Sequence, residues 1–245
     1  MRMKQSAFYN HLALLFISHF FSQIQANHES CPLMLKNIES KVDDLWQSLL
    51  HPVALAAKDI KEVYAICEMK PSSTLEAEKP QVTGQVLFKQ TYPSGHLETI
   101  ISLVGFSESD NQARAIHIHE FGDLSNGCDA TGGHFNPMNV SHPGHPGDFG
   151  NFTPKKGKIK KHRKNIKATM FGPNSILSRA IVIHEQQDDL GEGGNPASLI
   201  NGNAGKRLAC CVIGIGGKTL WQSTFLSLTG NSMKRNAKGS ERKSS

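Results

Sequence analysis

Ala115 to Asp148 reads AIHIHEFGDLSNGCDATGGHFNPMNVSHPGHPGD. Five of the chain's twelve histidines, His117, His119, His134, His142 and His145, fall in this stretch, and Asp148 closes it. His117-Ile118-His119 ends a run with strand character. Residues i and i+2 of a strand face the same way, so both imidazoles can reach one ion. His134, His142, His145 and Asp148 follow on a segment rich in Gly and Pro, which reads as a loop. Three imidazoles and one carboxylate complete a closed tetrahedral zinc set. The His-x-His pair then needs further ligands of its own, and an imidazole site suits copper. Loop histidines without a metal explain this clustering poorly.

Outward from this stretch the chain reads as short β-rich runs. Val82 to Phe88, Ile100 to Phe106, Arg114 to His119, Lys167 to Phe171, Ala180 to His184 and Cys210 to Ile215 are the candidate strands. Gly, Pro, Asn and Asp separate them, the pattern of an antiparallel sandwich or barrel. Before Ser73 the character differs. Leu35, Ile38, Val42, Leu45 and Leu49 follow a 3-4-3-4 spacing and predict a helix over Cys31 to Leu50, stopped by Pro52. Two heptads are too short for a coiled coil that is stable alone. The seam packs either on its own domain or on another subunit, and Cys31 is placed to lock the second arrangement.

The first 26 residues read as a secretory signal. Arg2 and Lys4 form the charged start, Leu12 to Phe21 the apolar stretch, and Ala26 a small residue before cleavage. The apolar run is too short to span a bilayer, which needs about 20 residues. The 245-residue chain has five cysteines, Cys31, Cys67, Cys128, Cys210 and Cys211, and no CxxC pair. In an oxidising compartment they should pair, leaving one over. Asn139-Val140-Ser141 and Asn151-Phe152-Thr153 are candidate N-glycosylation sites. The formal charge of +6 favours anionic partners. Lys155 to Lys167 carries eight Lys or Arg in thirteen residues, and the polar segment from Lys234 to Ser245 adds five more. Each is either a solvated face or a polyanion-binding stripe.

His117-Ile118-His119-Glu120-Phe121-Gly122-Asp123, Gly133-His134-Phe135-Asn136-Pro137 and His145-Pro146-Gly147-Asp148-Phe149-Gly150-Asn151 resemble the copper/zinc superoxide dismutase family. Val182-Ile183-His184-Glu185, Asp188-Asp189-Leu190-Gly191 and Gly202 to Cys210 resemble it in the same order. The resemblance covers roughly Ser73 to Trp221 and is strongest to the secreted, extracellular members. It implies an all-β fold: an eight-stranded antiparallel Greek-key β-barrel, an immunoglobulin-like sandwich. To this the reading adds an N-terminal helical extension and a basic C-terminal tail. The division expected is 1–26 signal peptide, 27–72 helical oligomerisation segment, 73–222 dismutase domain and 223–245 basic disordered tail. The metal loop and a second loop, Glu185 to Gly205, would cover one end of the barrel.

The resemblance also implies the chemistry. His117, His119, His134 and His184 would bind one copper ion, and His134, His142, His145 and Asp148 one zinc ion, with His134 bridging. Asp188 would join His117 to His142. Arg207 would capture superoxide, which is converted to oxygen and hydrogen peroxide by alternate reduction and oxidation of copper. Cys128–Cys210 and Cys67–Cys211 would be disulfides, with Cys31 left over. Expected partners are superoxide, further copies of the chain in a dimer or tetramer, and heparan sulfate or other polyanions at Lys155–Lys167 and the tail. The family's intracellular members carry lip charges after Gly-Gly-Asn. Here Gly193-Gly194-Asn195 is followed by Pro196 to Asn201, with none. The competing function is a non-enzymatic secreted metal- and glycosaminoglycan-binding protein. A copper-chaperone-like domain fits less well, because all four copper positions are present and no CxxC is.

Overall fold

The structure is a computed structural model that describes residue 32 and residues 34–42, 62–92 and 94–241. The leader, Cys31 and the second half of the predicted N-terminal helix lie outside the described residues. Residues 34–42 are helical, as the heptad spacing predicts, and Leu35, Ile38 and Val42 are all exposed.

The rest is an antiparallel β-barrel. Its strands are β1 (Glu62–Pro71), β2 (Thr83–Thr91), β3 (Leu97–Val104), β4 (Arg114–His119), β5 (Ser125–Cys128), β6 (Asp148–Phe152), β7 (Lys158–Ile166), β8 (Ala180–His184), β9 (Arg207–Val212) and β10 (Gly214–Ile215). Eight of them run in the order β6-β4-β8-β9-β1-β2-β3-β7, and β10 pairs with β1. The two end strands, β6 and β7, are consecutive in the chain, so the sheet comes close to closing on itself. Closure removes the exposed edges that an open sheet would present. Val86, Phe88, Ile101, Leu103, Ile116, Ile118, Ile181 and Ile183 fill the interior. Their alternation along the strands is the period-2 pattern that burial on one face demands.

Three expectations need correction. Glu62–Pro71 is not part of the helical extension but a barrel strand that pairs with β2, β9 and β10. Its Val63, Ala65, Cys67 and Met69 alternate into the core, a signal masked by the apolar Tyr64 and Ile66 at the outward positions between them. Lys167–Phe171 is not a strand; pairing ends at Ile166, and residues 167–171 are bend and bridge. The segment after 222 is helical rather than without regular structure, in one helix from Lys218 to Glu241. Its Leu220, Trp221, Phe225 and Leu228 pack on Tyr64, Ile66, Leu87 and Ile100. Ile66, Leu87 and Ile100 pair side by side across three strands, an apolar row on the barrel's outer face that needs a cover, with His162 of β7 at its end.

Both implied disulfides form, Cys67–Cys211 and Cys128–Cys210. The first closes 144 residues of chain and ties β1 to β9. A bridge over so long a segment stabilises by roughly 2–4 kcal/mol, mainly by restricting the unfolded chain.

Candidate metal centre

Strand β4 is buried on both sides. Ile116 and Ile118 face the barrel core, and His117 and His119 face outward beneath the loops. The chain then turns back along β4. Glu120 N–H donates to Gly133 O at 2.9 Å and Phe135 N–H to Ile118 O at 2.8 Å, which sets His134 against His119. A register shift where His117 meets Asp148 brings the carboxylate of β6 under the same loop. A second shift, between Ile183 and His184, makes Leu208 an extra residue of β9 and pairs His184 with Arg207. Leu208 and Ala209 both enter the core. Strict alternation would send Arg207 inward as well; the bulge turns it to the side of His184. Bulges are a common means of re-aiming a side chain beside an active site.

The hydrogen bonds assign the ring nitrogens. His117 Nε2–H donates to Asp188 Oδ2 at 2.8 Å, and His142 Nε2–H to Asp188 Oδ1 at 2.7 Å. His145 Nε2–H donates to Val140 O, His119 Nδ1–H to Gly132 O and His184 Nδ1–H to Gly205 O, at 3.1, 3.0 and 3.3 Å. A neutral imidazole has one N–H, so in the neutral form that binds a metal each of these five rings leaves its other nitrogen as a bare lone pair. The bare Nε2 atoms of His119 and His184 face each other at 3.2 Å. His134 differs from the rest, because neither of its nitrogens has a hydrogen-bond partner among the described residues. Its Nδ1 lies 3.3 Å from Asp148 Oδ1, without hydrogen-bond geometry.

Buried polar atoms in folded proteins are almost always paired. Here His117 Nδ1, His134 Nδ1 and Nε2, His142 Nδ1, His145 Nδ1 and Asp148 Oδ1 are buried and unpaired, all in one cluster. Lone pairs crowded together without protons call for cations. The atoms fall into two groups that could each hold an ion: His117, His119, His134 and His184, and His134, His142, His145 and Asp148. His134 belongs to both. The donor sets fit the two metals expected of them, four imidazoles for copper and three imidazoles with a carboxylate for zinc. His117, His142 and Asp188 also cluster, but there the carboxylate is spent on N–H groups.

A model of the copper/zinc superoxide dismutase family matches residues 82–213. The chain belongs to that family. It is 48% identical over 188 residues to the extracellular superoxide dismutase [Cu-Zn] of Oryctolagus cuniculus, covering 76% of this chain and 77% of that one. The corresponding protein of Mus musculus is 51% identical over 75% of this chain and 72% of its own. That of Homo sapiens is 47% identical over 77% of each.

The electrostatics suit a copper/zinc superoxide dismutase centre. Burial pushes His117 down to about 4, against the opposing pull of Asp188, and holds His119 and His184 well below the ordinary histidine range. These rings are therefore neutral at physiological pH, the form that binds a metal. His142 behaves differently. Burial alone would lower it, but Asp148 and Asp188 on either side raise it to about 9. Metal entering on that side must displace a proton. Burial would raise Asp148 and Asp188, yet their histidine contacts outweigh it and keep both ionised.

Three features of this dismutase site were not legible in the sequence. The side chain of Asn151 clamps Asp188 by two bonds, Nδ2–H to Asp188 O at 2.8 Å and Asp188 N–H to Oδ1 at 2.7 Å. Gly202 has φ +62°, and a Cβ there would collide with Asp188 Oδ1 and His142 Nε2. Arg207 is fixed by carbonyls. Its Nη1 donates to Cys128 O and Thr131 Oγ1, both at 2.9 Å, and its Nη2 to Gly132 O at 2.7 Å.

Proposed function

We propose that this chain is a secreted superoxide dismutase. In this reading His117, His119, His134 and His184 hold copper, and His134, His142, His145 and Asp148 hold zinc. The observation that carries it is His134, a buried ring that belongs to both groups and has no hydrogen-bond partner at either nitrogen among the described residues. Metal analysis with pulse radiolysis tests it. One copper and one zinc per chain with rapid dismutation is the expected result. Zinc alone without turnover would leave a non-enzymatic metal-binding protein.

When bound, copper would supply the electron transfer by which two superoxide anions and two protons become oxygen and hydrogen peroxide, and zinc would supply fixed charge. The protein's part is to admit the anion, orient it and handle protons. A cleft of about 490 Å³ is lined by His119, His134, His184, Asn201, Asn203 and Arg207, among others. Among its lining residues Arg207 alone carries a permanent charge, and no carboxylate faces it. Burial lowers its pKa, but a guanidinium stays protonated throughout the physiological range. Fixed by four acceptors, the carbonyls of Cys128, Asp129 and Gly132 and the Thr131 hydroxyl, it draws a small anion toward the histidines. His134 Nε2 is the atom placed to take a proton and pass it to the product.

Arg207→Ala is therefore expected to lower activity by roughly tenfold, within the range of electrostatic steering effects, and to flatten its dependence on ionic strength. Both metals should stay bound. Rates and salt response equal to those of the parent chain would contradict the role.

Secretion is supported by the signal-like residues 1–26, by two disulfides and by relatives named as extracellular. Association into a dimer or tetramer is supported by the exposed seam of Leu35, Ile38 and Val42. Removing residues 27–52 should reduce the particle mass seen in ultracentrifugation; an unchanged mass rejects the helix as the assembly element.

Binding of heparan sulfate or another polyanion is supported by a second cleft. Lys155, Lys156, Lys158, Lys160 and Lys161 line it, together with Thr224 and Ser227 of the C-terminal helix. A chain ending at Leu228 keeps these lysines and the packed turns of that helix. It should elute from heparin at nearly the salt concentration of the full chain. Loss of retention would assign the affinity to the basic residues after 233.

A further inference from the structure

The two sequons occupy different environments, and the amide chemistry of N-linked glycosylation separates them. Asn139 sits at the tip of the metal loop, exposed, with φ 49°. Its N–H donates to Asn136 O at 3.2 Å, closing a turn, and its side-chain amide makes no hydrogen bond among the described residues. Val140 beside it is held by both ends of the Asn136 side chain, at 2.8 and 3.1 Å, so the tip has a fixed shape. The flanking Met138 and Val140 are 58% and 41% exposed, an apolar tip left open by the described residues.

Asn151 is the opposite case. Both its bonds run to the backbone of one residue, Asp188. Such a paired contact uses the N–H that lies beside the carbonyl oxygen of the amide. A glycosylated asparagine is a secondary amide, planar and trans like a peptide bond. In that form the sugar replaces the hydrogen beside the oxygen. A glycan on Asn151 would thus stand where Asp188 O must be and open the clamp on the carboxylate that joins His117 to His142. Glycans are attached before folding is complete, so folding filters the products: a chain modified at Asn151 could not close this pair.

We propose that the exported protein carries its N-linked glycan on Asn139, over the apolar tip of the metal loop, and that Asn151 stays unmodified as a positioning residue for Asp188. This rests on the reading that the chain is secreted. The test is to express the full chain in animal cells and map glycopeptides from both medium and cell lysate. Enzymatic deglycosylation marks each occupied site by converting its Asn to Asp.

The expected result is exported protein occupied at Asn139 and bare at Asn151, with Asn139→Gln removing the glycan entirely. Asn151→Gln should keep the glycan yet weaken zinc retention against a chelator. Export with Asn139 bare, or with a glycan on Asn151, overturns the proposal while leaving secretion intact. Unglycosylated chain confined to the lysate overturns both. Unchanged zinc retention in Asn151→Gln overturns the positioning role.

Discussion

Replacing His134 by Gln is expected to lower superoxide dismutation by more than about 100-fold, beyond the ~10–100-fold that loss of a supporting partner costs a metal site. The physical reason is that one ring completes two donor sets. Five neighbouring histidines each give one nitrogen to a protein acceptor and keep one free, whereas His134 keeps both. A Gln side chain offers one acceptor oxygen and an NH₂ that only donates, so it can serve at most one group. The effect should appear as reduced copper and zinc content together, measured on purified protein, alongside the lost activity. A His134→Gln protein that keeps both metals and turns over within a few-fold of the parent would remove the basis of the shared-ring reading.

Asp188→Asn should produce the next largest effect, and through a residue that touches neither proposed metal. The carboxylate accepts from His117 on one oxygen and from His142 on the other, while Leu190 N–H donates to the second at 2.7 Å. An amide keeps one acceptor and turns the other position into a donor facing an N–H. One histidine loses its partner, and with it the preference for presenting Nδ1 to the metal. Zinc affinity is expected to fall by roughly 10–100-fold, read by competition with a chromogenic chelator, with activity falling less than in His134→Gln. If the histidine left without support is His117, the copper side weakens instead, and metal analysis tells the two apart. Affinity for both metals equal to that of the parent would show that Asp188 orients nothing.

How far the sequence foretold this centre depends on the kind of contact. His117, His119, His134, His142, His145, His184, Asp148 and Asp188 could be singled out because ligand chemistry restricts residue type. The structure brings all eight together within two overlapping groups and one connecting carboxylate. Strands β4 and β8 stood out for a related reason: uninterrupted β-branched and aliphatic residues run straight into a histidine.

Arg207 was visible as a candidate, but its anchoring was not, since its acceptors include the backbone carbonyls of Cys128 and Gly132, which any residue could supply. The bulge at Leu208 was equally hidden, as a register shift leaves no mark on composition. Strand β1 was misread because Tyr64 and Ile66, apolar residues at outward positions, blur an otherwise regular inward alternation. The C-terminal helix was missed because its polar composition concealed the Trp221–Phe225–Leu228 spacing, which has meaning only once the outer row on the barrel is known to need a partner. Local pattern reports what a segment can bury; it does not report what another segment leaves uncovered.

The neighbouring cysteines of β9 have one more consequence. Cys210 reaches the loop side to meet Cys128, and Cys211 reaches the interior to meet Cys67. Sliding β9 by a single position would swap which sulfur faces which partner, and neither bond could then close as it does here. The two covalent ties thus act as a gauge of strand alignment. An oxidising environment would reward only the alignment in which the guanidinium two turns of the pleat away looks out toward the histidines, so the geometry for catching the anion is checked by sulfur chemistry before any metal need arrive.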